Sequence, residues 1–193
     1  MALRILPFRQ YSDHDVVNMY SVVDADVLDS TTGAGAGDAG VFVKVQDGNF
    51  DNDPVTYQTN SYLGDTSYPF LGTTEMYPQV NLKITGAANL DQPLGLTLYQ
   101  TAKNDENGEK LLYHPRKAAE NDWVISGQAA PVLTRGVVLY SGATLASDTP
   151  TLGEAVYTSP DGELTSASTL GTTVGKTLGL LDARNHILLK LEL

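Results

Sequence analysis

Apolar and polar residues alternate along most of this chain, the pattern of strands with one face on a core and one in water. In Val41-Phe42-Val43-Lys44-Val45 the odd positions predict one apolar face, and Asp47-Gly48 marks a turn after it. Val80, Leu82 and Ile84 alternate with Asn81 and Lys83, and Leu96 and Leu98 with Thr97 and Tyr99. Asn107-Gly108, in a polar loop before Leu111-Leu112-Tyr113, predicts a hairpin. Short strands return over 123–126, 131–140, 154–158, 163–168, 173–180 and 186–193, with Asp161-Gly162 as a hairpin turn. In the last of these, Ile187, Leu189, Leu191 and Leu193 point one way and Lys190 and Glu192 the other. Four apolar side chains on one face place the chain end in a sheet, because they would not sit free in water. One short helix is predicted, over residues 115–121, with Pro115 where a first helical turn tolerates it.

The pattern divides the chain. Residues 1–32 read as an N-terminal arm: Pro7 blocks a single regular element, and Val16, Val17, Met19, Tyr20, Val22 and Val23 form a short apolar patch. Gly33, Gly35, Gly37 and Gly40 then make a hinge. Such a segment is either an arm for a neighbouring subunit or a first strand and loop. Residues 33–120 read as an antiparallel β-module and 121–193 as a second β-module, so the expected fold class is all-β. Residues 46–79, rich in Asp, Asn, Tyr, Gly and Pro, are expected to form long ordered loops of the functional or interface-making kind.

Composition narrows the function classes. Twelve Lys and Arg against 23 Asp and Glu leave a formal charge of −11 over 193 residues. A nucleic-acid partner needs a cationic footprint, and these cations are few and scattered. With no cysteine there is no disulfide, thiolate zinc site or cysteine nucleophile, while the redox compartment stays open. Arg4, Pro7 and Arg9 interrupt the N-terminal apolar run too early for a signal peptide. No stretch approaches the roughly 20 apolar residues of a membrane helix. A soluble chain, made and used without export, is the expectation.

The candidate chemistry is thin. Gly171-Thr172-Thr173-Val174-Gly175-Lys176-Thr177 has one residue too few between its glycines for a phosphate-binding loop, and strands flank it. Asp47, Asn49, Asp51 and Asp53 offer alternating oxygen ligands, but Asn52 stands where a calcium loop turns on Gly and Gln58 where it needs Glu. A solvated acidic turn is the better reading there, as it is for Asp24, Asp26 and Asp29. His14, His114 and His186 lie in unrelated contexts, and neither HExxH nor GxSxG occurs. Trp123 with Tyr57, Tyr62, Tyr68, Tyr77 and Tyr99 would suit a sugar-stacking surface, though aromatics more often build cores and interfaces. Neither an enzyme nor a cofactor is expected.

The C-terminal third is more telling. GQAAPVLTRGVVLY, then GEAVYTSPDGELTSAS, then TTVGKTLGLLDARNHILLKLEL run in that order through residues 127–193. This succession of a strand, a GxxVYxxxDGxxT hairpin, a VGxxLG strand and a final apolar strand resembles the β-tulip head-decoration proteins of tailed phages. MALRILPFRQYSDHDVVNMY, YLGDTSYPFLG and GLTLYQTAKNDENGEKLLY are similar to structural proteins of marine tailed phages. The resemblance covers most of the chain. It implies a virion protein on the outer surface of the capsid that binds the major capsid protein and stabilises the head, often as a trimer. It also implies an N-terminal arm that orders on the capsid lattice. Ile5, Leu6, Phe8 and Tyr11 are its candidate capsid-binding residues, docking in grooves or adding a strand to a sheet edge. The chain exceeds a minimal tulip domain, and the surplus would form an outer knob or a further capsid contact.

Other readings are a head-fibre base, a neck or tail component, or a glycan- or receptor-binding β-module. The arm separates them: deleting residues 1–22 is expected to abolish capsid binding and leave a folded domain.

Overall fold

Strands dominate the chain, as the alternation requires. The computed structural model describes residues 5–22, 39–46, 83–87, 90–102, 104–105, 107–125, 128–141, 150–158, 164–167, 171–179 and 186–193. In chain order the strands are β1 (Ile5–Gln10), β2 (Val16–Val17), β3 (Ser21–Val22), β4 (Phe42–Gln46), β5 (Lys83–Gly86), β6 (Gly95–Thr97) and β7 (Gln100–Thr101). Helix α1 (Pro115–Glu120) follows. Then come β8 (Trp123–Val124), β9 (Val132–Leu133), β10 (Arg135–Ser141), β11 (Ala155–Thr158), β12 (Leu164–Thr165), β13 (Thr173–Gly179) and β14 (His186–Glu192).

The last strand sits at the centre of the first sheet. Its order is β1-β10-β14-β13-β11-β12, antiparallel throughout. In β14, Ile187, Leu189 and Leu191 are buried, while Leu188, Lys190 and Glu192 lie on the opposite face, so the predicted alternation holds. Leu193 falls just outside the strand and is exposed. Where β13 passes β14 the backbones close in so far that a Cβ at Gly175 would collide with the carbonyl of Lys190. Only glycine fits there.

The second sheet runs β2-β9-β6-β4-β5-β3, antiparallel except for the parallel pair β3 and β5. It faces the first sheet through one apolar layer. Phe42, Leu96 and Leu133 from the second sheet share a core with Val138, Tyr140, Val156, Leu189 and Leu191 from the first. The other face of the second sheet is covered as well: Val43, Ile84 and Val132 pack with Val124 and Ala130, flanked by Tyr20 and Leu94. This corrects the one-faced reading of residues 41–45. Val41, Phe42 and Val43 are all fully buried, and Val45 is the exposed one, because a strand covered on both sides needs no polar face.

A small third layer contains β7 and β8, paired in parallel, with a 3-10 turn over Leu111–Tyr113 and α1. Ala102, Leu111, Ala118 and Ile125 form its core, with Trp123 packed against them. The helix lies where the sequence predicts it. Leu111–Tyr113, predicted as the second arm of a hairpin, is instead that 3-10 turn. Gly108, in the left-handed conformation at φ 81°, still helps reverse the chain, but only Asn104 and Lys110 form a bridge across the loop. Leu111 turns into the satellite core and ends any ladder.

The expected division into arm, middle module and C-terminal module follows turn-rich punctuation, whereas the strands sort differently. β1 belongs to the first sheet, while β2 and β3 join the second. β9, from the C-terminal segment, lies inside the second sheet, and both sheets share one core. The Asp161-Gly162 turn and the strand residues Val80 and Leu82 lie outside the described residues.

Leu189 is fully buried in the central strand. Leu189→Ala should lower unfolding free energy by about 2–5 kcal/mol, read from the urea midpoint, with a cavity between the sheets as the cause.

Candidate functional site

Of the four residues expected to meet a capsid, Ile5 and Tyr11 are held by the chain's own fold. Ile5 is buried at 8% exposure in the inter-sheet core and pairs with Tyr140, and Tyr11 packs against the same core. Leu6 and Phe8 lie in β1, and their side chains are outside the described residues. The segment is therefore the first strand of the body's own sheet, of the two possibilities left open by the sequence. Its ladder to β10 shifts register between Ile5 and Arg9, the stretch that holds Pro7. Proline removes an N–H and is tolerated on an edge strand, where it also discourages further pairing.

The other candidates separate rather than gather. His14 lies on a 3-10 turn over Asp13–Asp15, His114 precedes α1, and His186 begins β14. Among the described residues no group of three or more His, Cys, Asp or Glu side chains converges on a metal-sized site. The Asp47–Asp53 loop, the Asp24, Asp26 and Asp29 group, and Tyr57, Tyr62, Tyr68 and Tyr77 lie outside the described residues. Lys176 and Thr177 stand within β13 with Thr177 buried, so that segment is strand and no phosphate loop. Trp123 packs on the satellite core and donates its indole N–H to Gln100 Oε1 at 3.2 Å. Its ring is thereby structural.

The satellite presents a feature that the strand pattern concealed. Asp105 anchors it: the side chain, 1% exposed, accepts from Lys117 Nζ at 2.6 Å. Its other oxygen accepts the backbone N–H groups of Asn107 at 2.9 Å and Glu109 at 2.8 Å. The Lys117 hydrogen bond, followed by those from Glu109 and Asn107, holds the Asp105 carboxyl below the usual carboxylate range against the opposing effect of burial. The loop is thus tied to α1 from within. On this fixed frame the 3-10 turn buries Leu111 and turns its neighbours outward, with Leu112 49% and Tyr113 72% exposed. Two large apolar side chains, one aromatic, are thus exposed in whole or in part on a turn braced by the Asp105–Lys117 pair. Reading Leu111-Leu112-Tyr113 as a strand assigned the residues to a sheet face. Only the three-residue return of a 3-10 turn separates Leu111 from the pair beside it.

No protein-family description, curated protein or solved structure matches this chain.

Two outcomes follow from these placements. Deletion of residues 1–22 would remove β1 from one sheet and β2 and β3 from the other. The truncated chain should therefore lose its cooperative thermal transition in circular dichroism, contrary to the expectation of a folded domain. The second outcome concerns Asp105. A carboxylate whose folded pKa is depressed stabilises the fold when ionised, fully above its unfolded value, and loses that contribution as pH falls through the folded value. Acid should therefore loosen the satellite. Trp123 is the single tryptophan and lies in that layer, so its emission should shift on acidification before the β-sheet signal changes. Asp105→Asn should show the shifted emission already at neutral pH.

Proposed function

We propose that this chain is a structural protein of a tailed-phage virion, bound to the outside of the assembled head and stabilising it. Three things support the reading. The motifs through residues 127–193 resemble head-decoration proteins, and the chain folds as antiparallel β-sheets around a shared core, an all-β fold as that resemblance implies. The observation that carries it is the satellite knob. Leu112 and Tyr113 are exposed on a turn braced by the buried Asp105–Lys117 pair. Tyrosine is among the residues that dominate binding energy at interfaces, and a pre-ordered anchor loses little entropy on docking.

The physics of the role is linkage. A protein that binds only the assembled shell stabilises it by mass action, and many copies on one lattice act together. No catalytic residue is needed. The partner is the major capsid protein, and the contact begins at the knob rather than at a free N-terminal arm. Ile5 and Tyr11 then act indirectly, by closing the core on which the rest is mounted.

The test is co-sedimentation of the purified protein with expanded, undecorated heads. Saturable binding at a fixed ratio to capsid subunits is expected. Leu112→Ser with Tyr113→Ser should weaken it on the order of tenfold or more while lowering the melting temperature only slightly, since Tyr113 is mostly exposed and Leu112 is half exposed. Failure of the unaltered protein to bind expanded heads overturns the reading.

A further inference from the structure

The tight reversal that precedes the knob holds a reactive pair of residues. Asn107-Gly108 is the one Asn-Gly pair in the sequence, and both residues are exposed. An asparagine followed by glycine is the sequence in which a chain most readily attacks itself: the glycine N, having shed its proton, closes on the asparagine Cγ. Glycine permits the approach because it carries no side chain and reaches conformations closed to other residues. Gly108 already stands in the left-handed region at φ 81°, and a Cβ there would meet nothing within 4 Å. Sterically, nothing around Gly108 among the described residues shields the pair.

Hydrogen bonds hold it back instead. The Gly108 N–H, the nucleophile in waiting, donates to the Asp105 carbonyl at 3.0 Å. On either side of it, the N–H groups of Asn107 and Glu109 donate to Asp105 Oδ1 at 2.9 and 2.8 Å. The Asp105 N–H donates in turn to the Glu109 carbonyl at 2.8 Å, and Asn104 bridges Lys110 at the base of the loop. Successive amides from Asn107 to Glu109 are thus tied to one residue, which Lys117 Nζ fixes from α1 at 2.6 Å. To react, Gly108 must break its bond and lose a proton close to an ionised carboxylate, whose field opposes a second negative charge. The closed loop disfavours both steps. Reaction then proceeds through the fraction of molecules in which the loop has opened.

We propose that Asn107 is a site of spontaneous deamidation and backbone isomerisation, gated by the Asp105–Lys117 anchor. When the loop opens, the Gly108 N forms a bond to Asn107 Cγ, the Cγ–Nδ2 bond breaks, and ammonia leaves with the proton that Gly108 gave up. Water then adds to either carbonyl of the resulting succinimide and reopens it as aspartate or isoaspartate. Water is consumed and ammonia released, with no oxidant, reductant or cofactor. The succinimide leaves Gly108 with no N–H to offer Asp105. Isoaspartate lengthens the main chain between positions 107 and 108 by a methylene, which displaces the Glu109 N–H from Asp105 Oδ1. The aspartate product keeps the backbone but adds a carboxylate two residues from Asp105. Hydrolysis does not reverse in water, so a satellite that opens for long enough becomes permanently looser. The modification belongs to the satellite itself and does not depend on attachment to a phage head.

Incubation of the full chain at mildly alkaline pH tests it, with peptide mapping by mass spectrometry and enzymatic methylation of isoaspartate as the readouts. Asn107 should react at least about tenfold more slowly in the folded chain than in the same chain held in urea. Asp105→Ala, which removes the side-chain acceptor, should raise the folded rate on the order of tenfold with the β-sheet circular dichroism intact. Lys117→Met leaves Asp105 with its backbone partners and should raise the rate by a smaller factor. As isoaspartate accumulates in the unaltered protein, the emission of Trp123, which packs in the satellite, should shift. Asn107→Ser can still donate its backbone N–H to Asp105 and should keep its emission through the same incubation. An Asn107 that stays unmodified in urea overturns the site. Equal rates in the folded and urea-held chains, or an unaltered rate in both anchor variants, overturn the gating. Emission that drifts as fast in Asn107→Ser as in the unaltered protein overturns the link between modification and loosening.

Discussion

The apolar layer between the two sheets is the constraint on which the rest of the molecule depends. Phe42, Leu96 and Leu133 on one side meet Val138, Tyr140, Leu189 and Leu191 on the other, drawn from segments far apart in the chain. Neither sheet can bury its apolar face alone. The layer is also stitched by polar contacts at its margins. The Tyr140 hydroxyl donates to the Gly40 carbonyl at 3.2 Å, and the Thr134 hydroxyl donates to the Asp15 carbonyl at 2.9 Å. The first of these lets a tyrosine be fully buried without leaving its oxygen unsatisfied.

Local periodicity made some elements legible and hid others. β14 could be read as far as Glu192, though not at Leu193, because one of its faces packs in the core and the other does not. The short helix was equally clear, with Pro115 fixing its start. β4 was misjudged because it lies in a sheet covered on both sides, and burial on both faces erases the period of two. Leu111–Tyr113 was misjudged because a run of three apolar residues fits a strand and a 3-10 turn equally. The choice is made by Leu111 packing against Ala102, Ala118 and Ile125. The boundaries between modules were least legible, since turn residues announce where a strand stops and carry no information on which sheet it joins. The knob was illegible for the same reason: its anchor, Asp105 to Lys117, spans twelve residues and an intervening turn.

The N-terminal segment shows how one apolar sequence serves two readings. Ile5 and Tyr11 have the character of residues that dock on a neighbour, and they do dock, on their own chain. An isoleucine buried in the core contributes roughly 1.5–3 kcal/mol relative to leaving it in water. Releasing it to a capsid groove would forfeit that and uncover the edge of β10. A foreign site would have to offer more than the native one, and the fold therefore favours retention. Pro7 falls where the β1–β10 ladder shifts register, as a residue without an N–H allows.

The layered arrangement also sets the satellite and the outer face of the first sheet on opposite sides of the molecule's core. Val124 of β8 packs on the face of the second sheet turned away from the first, which puts the satellite beyond that sheet. The Lys176–Lys190 row lies on the far side of the first sheet. Stacked sheets stand about 10 Å apart, so the two surfaces face opposite ways with the core between them. A copy seated by its knob on a shell would keep the outer face of the first sheet clear of that contact. Many copies on one lattice would also reinforce one another. Each attached copy raises the local concentration of the next, so individually weak interfaces suffice.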